Sequence, residues 1–318
     1  MGNWPDASAA CVAALVAALA TLMGSRVALR HGWIDHRGGE QVARKPRTVP
    51  VPLVGGAALL LGFVVAANIA LDAGAVERPG DPMAWPWLAL AAAFTLGLID
   101  DLRREGLSAR VKFGGQVLVA SALALDPALA VPMQPGARGL VFVVALVAQN
   151  AINTFDNADG AATSLALVGL FPVAVVRGAL LGFLPFNLLG WRRAAGARVP
   201  LAYLGDSGSH LLGVCIAAVP AAWPVLVLPV LDLARLSRLR LARGRAPWQG
   251  DRSHLAHRLM AADWPGPMVA LTLAAVGGLP VLGALTSTEG AVAGVLGCVL
   301  AFSVLVAATP DPEDPTVR

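Results

Sequence analysis

The sequence predicts an all-α fold: a polytopic integral membrane helix bundle of about ten transmembrane segments. Composition is the first observation behind this. Of 318 residues, 57 % are hydrophobic and only 14 % charged, and the mean hydropathy is +0.68. A soluble domain carries roughly a quarter charged residues, so this chain lacks the charge to cover a water-facing surface, and disorder is excluded with it. The second observation is a succession of apolar runs, several near the 20 residues a bilayer requires. The third is that basic residues concentrate in a few loops between those runs. The three cysteines, Cys11, Cys215 and Cys298, lie in apolar runs, which leaves no disulfide framework or thiolate zinc site.

In order, the runs fall near 8–29, 50–71, 84–100, 113–131, 139–155, 161–190, 207–222, 223–236, 266–286 and 288–308. They are rich in Ala, Leu and Val with Gly interspersed, and small residues permit close helix contacts in lipid. The first is expected to be a retained helix, because Met1–Ala10 carries only Asp6 and lacks the basic region of a signal peptide. The 223–236 run is short and needs flanking residues to complete a span.

Arg30, Arg37, Arg44, Lys45 and Arg47 lie in loop 30–49, and Arg103, Arg104, Arg110 and Lys112 in loop 101–112. Loop 191–198 holds Arg192, Arg193 and Arg198, and loop 235–258 holds seven arginines, so the four loops contain 19 of the 24 basic residues. By the positive-inside rule these loops face the cytoplasm, the amino terminus outside, and the tail 311–318 inside. The basic balance thus reflects topology, and no nucleic acid is expected as a partner. One run breaks the alternation. Residues 161–190 lie between two loops that both read as cytoplasmic, and 30 residues give roughly 45 Å of helix, enough for one crossing. Pro172, Gly178 and Pro185 punctuate it, so it is either a re-entrant hairpin or a single span that breaks parity.

Acidic residues are scarce, and five of them gather at the expected cytoplasmic mouth. Asp100 and Asp101 end the third run, Asp156 and Asp159 follow the fifth, and Asp206 opens the seventh. Five carboxylates on one face repel each other unless a cation joins them, and oxygen ligands favour Mg²⁺ or Mn²⁺. Asn150, Asn153 and Asp156, three apart, share a helical face. For Asp35, Asp232 and Asp251 the simpler expectation is a solvated cap. In the last basic loop, His254 and His257 stand three apart with Arg252 and Arg258 beside them, a cationic face suited to a diphosphate if helical.

Together these segments resemble the polyprenyl-phosphate N-acetylhexosamine-1-phosphate transferases, the group that includes the phospho-N-acetylmuramoyl-pentapeptide transferases. The resemblance runs from about Trp33 to Met260. RKPRTVPVPLVGG, LGLIDD, NAINTFDNADG, GALLGFLPFN with LGDSGS, and DRSHLAHRL look like that family's signatures and occur in its order. The resemblance implies one transferase domain over 1–310 in a bacterial inner membrane, with its site facing the cytoplasm. It implies that undecaprenyl phosphate attacks the β-phosphorus of a UDP-sugar, releasing UMP and starting cell-envelope glycan synthesis, with Mg²⁺ as cofactor. By motif position, Asp101 and Asp206 would hold the metal. Asp100 would orient or deprotonate the lipid phosphate. Asn153, Asp156 and Asp159 would line the nucleotide and metal site, with Asn150 beside them, while Lys45, Arg252, His254, His257 and Arg258 would contact substrate. Membrane lipid is an implied partner, and a homodimer is compatible with such a bundle. The chain departs from the family's pattern at Arg47, Asn157 and Ala256, and it has one run, 161–190, where the family usually has two spans. Two other readings compete: an impaired homologue with a shortened helix pair, and a transporter-like protein. The acids lie at run ends on one side and no internal repeat is present, which favours the enzyme.

Overall fold

A computed structural model describes residues 4–35, 50–72, 86–103, 105–127, 129, 134–194 and 197–314. Among these the architecture is all-helical, with twelve α-helices. They are α1 (Trp4–His31), α2 (Gly55–Asp72), α3 (Trp87–Leu102), α4 (Ala109–Leu125), α5 (Pro135–Phe155), α6 (Ala161–Gly169), α7 (Ala174–Leu188), α8 (Gly205–Ala218), α9 (Val227–Ala242), α10 (Leu255–Ala261), α11 (Gly266–Ala284) and α12 (Thr288–Ala308). One short ribbon was not expected: β1 (Arg192–Ala194) pairs antiparallel with β2 (Ala197–Val199). The motif around Lys45 lies outside the described residues.

By length and composition, four helices among the described residues can cross a bilayer: α1 over Ala7–His31, α5, α11 and α12. Several other runs are shorter as helices than as apolar sequence. Helices α3, α4, α8 and α9 have 14 to 17 residues, or roughly 21–26 Å, against about 30 Å of hydrocarbon. Prolines account for one boundary. Pro220 and Pro224 convert the junction between the expected 207–222 and 223–236 spans into a 3₁₀ turn, Pro220–Leu226, because proline donates no N–H to an α-helical ladder.

The run that broke the alternation is a helical hairpin. Helices α6 and α7 have 9 and 15 residues, about 14 and 22 Å, so neither reaches across the hydrocarbon alone. Arg177 holds the turn between them. Its guanidinium donates to the Phe171 carbonyl at 2.8 Å and stacks 5.0 Å from the Phe171 ring centre. At the open end the buried Thr163 hydroxyl donates to Asn187 Oδ1 at 2.9 Å, and Asn187 Nδ2 donates to the Ala202 carbonyl at 3.2 Å. The run therefore goes out and returns to the end of the molecule from which it started. Helix α7 lies against α1 and α2.

Helix α8 is the central post. It packs against α2, α3 and α5, and every residue from Ser207 to Ala217 is buried. From Leu211 onward α8 is apolar on all sides, and such a stretch is stable only in this position. Its start is tied to the start of α2: Tyr203 N donates to Pro52 O at 2.9 Å, while Gly55 N and Gly56 N donate to Tyr203 O and Leu204 O at 3.0 and 3.1 Å. These bonds satisfy donors that a helix start leaves free and bring the two termini to one level.

Candidate active site

At that level, four helices deliver polar side chains to one point. Lys112, in the first turn of α4, places its ammonium between Asp100 at the end of α3 and Asp206 in the first turn of α8. Nζ donates to Asp100 Oδ2 at 2.8 Å and to Asp206 Oδ2 at 2.5 Å. Asn153, from the last turn of α5, closes the group: its Nδ2 donates to Asp206 Oδ1 at 2.6 Å and to Ser209 Oγ at 2.9 Å, and its Oδ1 lies 3.5 Å from Lys112 Nζ. Asp100 Oδ1 also accepts the Leu107 N–H, so the loop from α3 to α4 folds over the carboxylate. Of the five aspartates and two asparagines that the sequence gathers at one mouth, Asp100, Asn153 and Asp206 meet at this point. Lys112, which joins them, was counted in the sequence only as a loop charge. One signal could have found it: the chain has two lysines, Lys45 and Lys112, against 22 arginines.

Asp101 points elsewhere. Its Oδ1 and Oδ2 accept the backbone N–H groups of Asp206 and Ser207 at 2.8 and 3.0 Å. Both oxygens cap α8, where an anion also meets the positive end of the helix dipole. Asp101, expected as a metal ligand beside Asp206, thus lies at the α8 terminus and holds Asp206 in place. Gly205, at φ 75°, makes the turn into α8 that a side chain would strain.

Below this group a buried polar chain runs inward. His210 Nδ1 donates to the Asp206 carbonyl at 2.8 Å, so its Nε2 is the acceptor for Gln116 Nε2 at 3.1 Å. Gln116 Oε1 in turn accepts from Asn150 Nδ2 at 3.0 Å. Asn150, expected to touch substrate, thereby orients Gln116. His210 and Gln116 were not singled out by sequence.

The second half of the site is the histidine loop. Asp232 and Asp251, expected as solvated caps, are both buried ion-pair partners: Asp232 with Arg235 at 2.7 Å and Asp251 with Arg240 at 2.6 Å. Asp232 also accepts the Leu255 N–H at 3.2 Å, capping α10. Arg240 and Arg235 outweigh the cost of burying the two carboxylates only because hydrogen bonds satisfy the rest. His254 is joined to the Asp156–Gly160 turn through Asn157, whose Nδ2 donates to His254 Nδ1 at 2.7 Å. Asn157, a departure from the family's pattern, is thus the link between the two motifs. Asp156 and Asp159 flank it, partly exposed. His257 is pushed down to about 3 by burial first, then by His254 and Arg252, so it is neutral at physiological pH, and its Nδ1 is buried without a hydrogen-bond partner. Arg258, expected to meet substrate phosphate, is bound instead to the end of α12, donating to Val306 O at 2.6 Å and to Thr309 O.

The profile of glycosyl transferase family 4 matches residues 83–223, a segment that carries Asp100, Lys112, Asn153 and Asp206 but not the histidine loop. A decaprenyl-phosphate N-acetylglucosaminephosphotransferase of Mycobacterium tuberculosis is 31 % identical over 77 % of this chain and 74 % of its own. The chain belongs to glycosyl transferase family 4. More distant members include a probable undecaprenyl-phosphate N-acetylglucosaminyl 1-phosphate transferase of Bacillus subtilis, 26 % identical over 84 % of this chain and 80 % of its own. The undecaprenyl-phosphate alpha-N-acetylglucosaminyl 1-phosphate transferase of Escherichia coli K12 is 25 % identical over 73 % and 72 %. In this family 4 chain those alignments extend well beyond the profile match.

Proposed function

We propose that the chain transfers N-acetylhexosamine-1-phosphate from a UDP-sugar to a polyprenyl phosphate, undecaprenyl or decaprenyl, at the cytoplasmic face of the bacterial plasma membrane. The observation that carries the reading is the Asp100–Lys112–Asp206–Asn153 group, formed at the ends of four helices in a chain whose relatives are named for this transfer. An oxygen of the lipid phosphate forms a bond to the sugar-bearing phosphorus of the donor. The bond from that phosphorus to the bridging oxygen breaks, and UMP departs with its electron pair. Such transfer asks a protein chiefly to position and to neutralise charge. Lys112 supplies fixed positive charge, Asp100 faces the incoming phosphate, and Arg252 and His257 face the diphosphate. The ten apolar runs form the membrane bundle, with the basic loops and this group on the cytoplasmic side.

The donor set also suits Mg²⁺. It is all oxygen, from Asp100, Asp206 and Asn153, the hard type that Mg²⁺ takes. Among the described residues no group of three or more His, Cys, Asp or Glu forms a cage, and Mg²⁺ is usually held by one or two carboxylates together with substrate phosphates. Asp206 and Asp100 would hold it, and when bound it would offset diphosphate charge.

The test uses purified protein in detergent with polyprenyl phosphate and Mg²⁺, offered UDP-N-acetylglucosamine and related UDP-sugars in turn. UMP release with one donor, abolished by EDTA, is the expected result. No release with any donor from a well-folded sample overturns the reading. A further expectation concerns Gly97, where a Cβ would lie 2.3 Å from the Asp206 carbonyl oxygen. Gly97→Ala must part α3 from α8 and shift Asp206, and it is expected to lower UMP release about tenfold or more without removing any polar group. Unchanged release in that variant would show that Asp206 placement is not critical.

A further inference from the structure

The short segment after α12 is not a free tail. Asp311 Oδ2 accepts from Arg243 Nη2 at 3.0 Å and lies 3.6 Å from Arg258 Nη1. Its Oδ1 accepts the Ser253 hydroxyl at 2.8 Å and the Glu313 N–H at 3.0 Å. Glu313 Oε2 accepts from Arg245 Nη1 at 2.7 Å, and Glu313 Oε1 accepts the backbone N–H of Arg252 at 2.8 Å. Pro310 and Pro312 flank Asp311 and restrict the backbone that presents it. Burial pushes the Asp311 carboxyl up, but the Glu313 N–H, Ser253 and Arg243 outweigh this and hold it below the ordinary carboxylate value. Asp311, the first carboxylate of this clasp, is therefore charged at neutral pH.

The consequence for the arginine loop is selective. Arg243, Arg245 and Arg258 each face a tail carboxylate, whereas Arg252 is held only through its main chain. No hydrogen bond of the Arg252 side chain forms among the described residues, and its Nε is buried without a partner. His257 Nδ1, close enough to feel the Arg252 charge, is also buried and unpartnered. A buried polar atom without a partner is costly unless a ligand completes it, and this loop holds two.

We propose that Asp311 and Glu313 are positioning residues: they neutralise the neighbouring arginines, fix the Arg252 main chain, and so leave Arg252 and His257 as the pair that receives the donor's diphosphate. This rests on the transferase reading above. The carboxylates touch no substrate and act through the loop.

The experiment compares full-length Glu313→Gln, Glu313→Ala and Asp311→Ala/Glu313→Ala with the parent chain in detergent. UMP release gives KM for the UDP-sugar and kcat separately, and limited trypsin digestion follows cleavage after Arg243 and Arg245. Glu313→Ala is expected to raise KM about tenfold with kcat within about twofold, the loss of one charge-assisted anchor. Glu313→Gln, whose amide oxygen still accepts from Arg252 N–H, is expected to fall between Glu313→Ala and the parent. The double variant is expected to be cut faster in the loop. Parent-like KM and parent-like trypsin resistance in the double variant overturn the proposal, as does an equal fall of kcat and 1/KM accompanied by a lowered Tm. If the parent releases no UMP at all, the transferase reading fails, while trypsin still reports whether the clasp holds the loop.

Discussion

Lys112→Met is expected to lower kcat/KM for UMP release by about 10²–10³-fold, the scale of losing a fixed charge aimed at reacting phosphates. The Lys112 side chain is four-fifths enclosed, and its ammonium is shared between Asp100 and Asp206. Methionine keeps the length of the side chain and removes the charge. Two carboxylates then face each other in a partly enclosed site with one compensating cation fewer. Breaking a buried pair costs about 3–5 kcal/mol. Here the Asp206 side chain keeps 31 % of its exposure, so solvent screening reduces the stability loss well below that range. Activity should fall much further than Tm. Lys112→Arg should recover only part of the loss, because a planar guanidinium cannot sit as a point charge between two carboxylates arranged around a single nitrogen. The measurement is initial UMP release against donor concentration, with Tm of each variant from thermal unfolding. Near-parental kcat/KM in Lys112→Met would remove Lys112 from the chemistry.

Helix positions were legible where an apolar run was long and unbroken, as in α1, α5, α11 and α12. They were not legible where hydropathy persists across a break. The 161–190 run stays apolar through its turn because α6 and α7 are both packed against other helices, so composition does not change where direction does. What flagged it was topology, through the failed alternation of basic loops. At the site, scarcity made Asp100, Asp156, Asp159 and Asp206 visible. It did not separate Asp100 from Asp101. Neighbouring residues on a helix point about 100° apart, so one carboxylate meets Lys112 and the other meets α8, and nothing local says which. Lys112 escaped because a basic residue at a span end already had an explanation in topology. The partners of Arg258 were hidden for the converse reason: Val306 and Thr309 lie about fifty residues away at the end of another helix, beyond the reach of spacing arguments.

The division between the two adjacent aspartates yields the second large expected effect. Asp206→Asn should abolish transfer, by about 10²-fold or more, while leaving Tm within a few degrees of the parent. The amide can still meet Asn153, and the lost charge is partly compensated because Asp100 keeps Lys112 to itself. Asp101→Asn should behave in the opposite sense. An amide offers one acceptor where the carboxylate offered two, so one N–H at the start of α8 is left inside the bundle, and the favourable anion–dipole contact goes with it. A lost cap costs about 1 kcal/mol, with a comparable increment for the charge. That loss falls on the central helix, so Tm should drop clearly while residual transfer stays within about tenfold of the parent at low temperature, where the fold persists. Equal losses of activity with equal Tm for both variants would mean that Asp101 also touches the reacting groups, and its place at the α8 terminus would then serve a second purpose. The expected contrast instead assigns charge neutralisation to one member of the pair and placement of Asp206 to the other. It also accounts for why the two must be adjacent: only a helix end that presents consecutive carboxylates can hold Lys112 and the start of α8 at once.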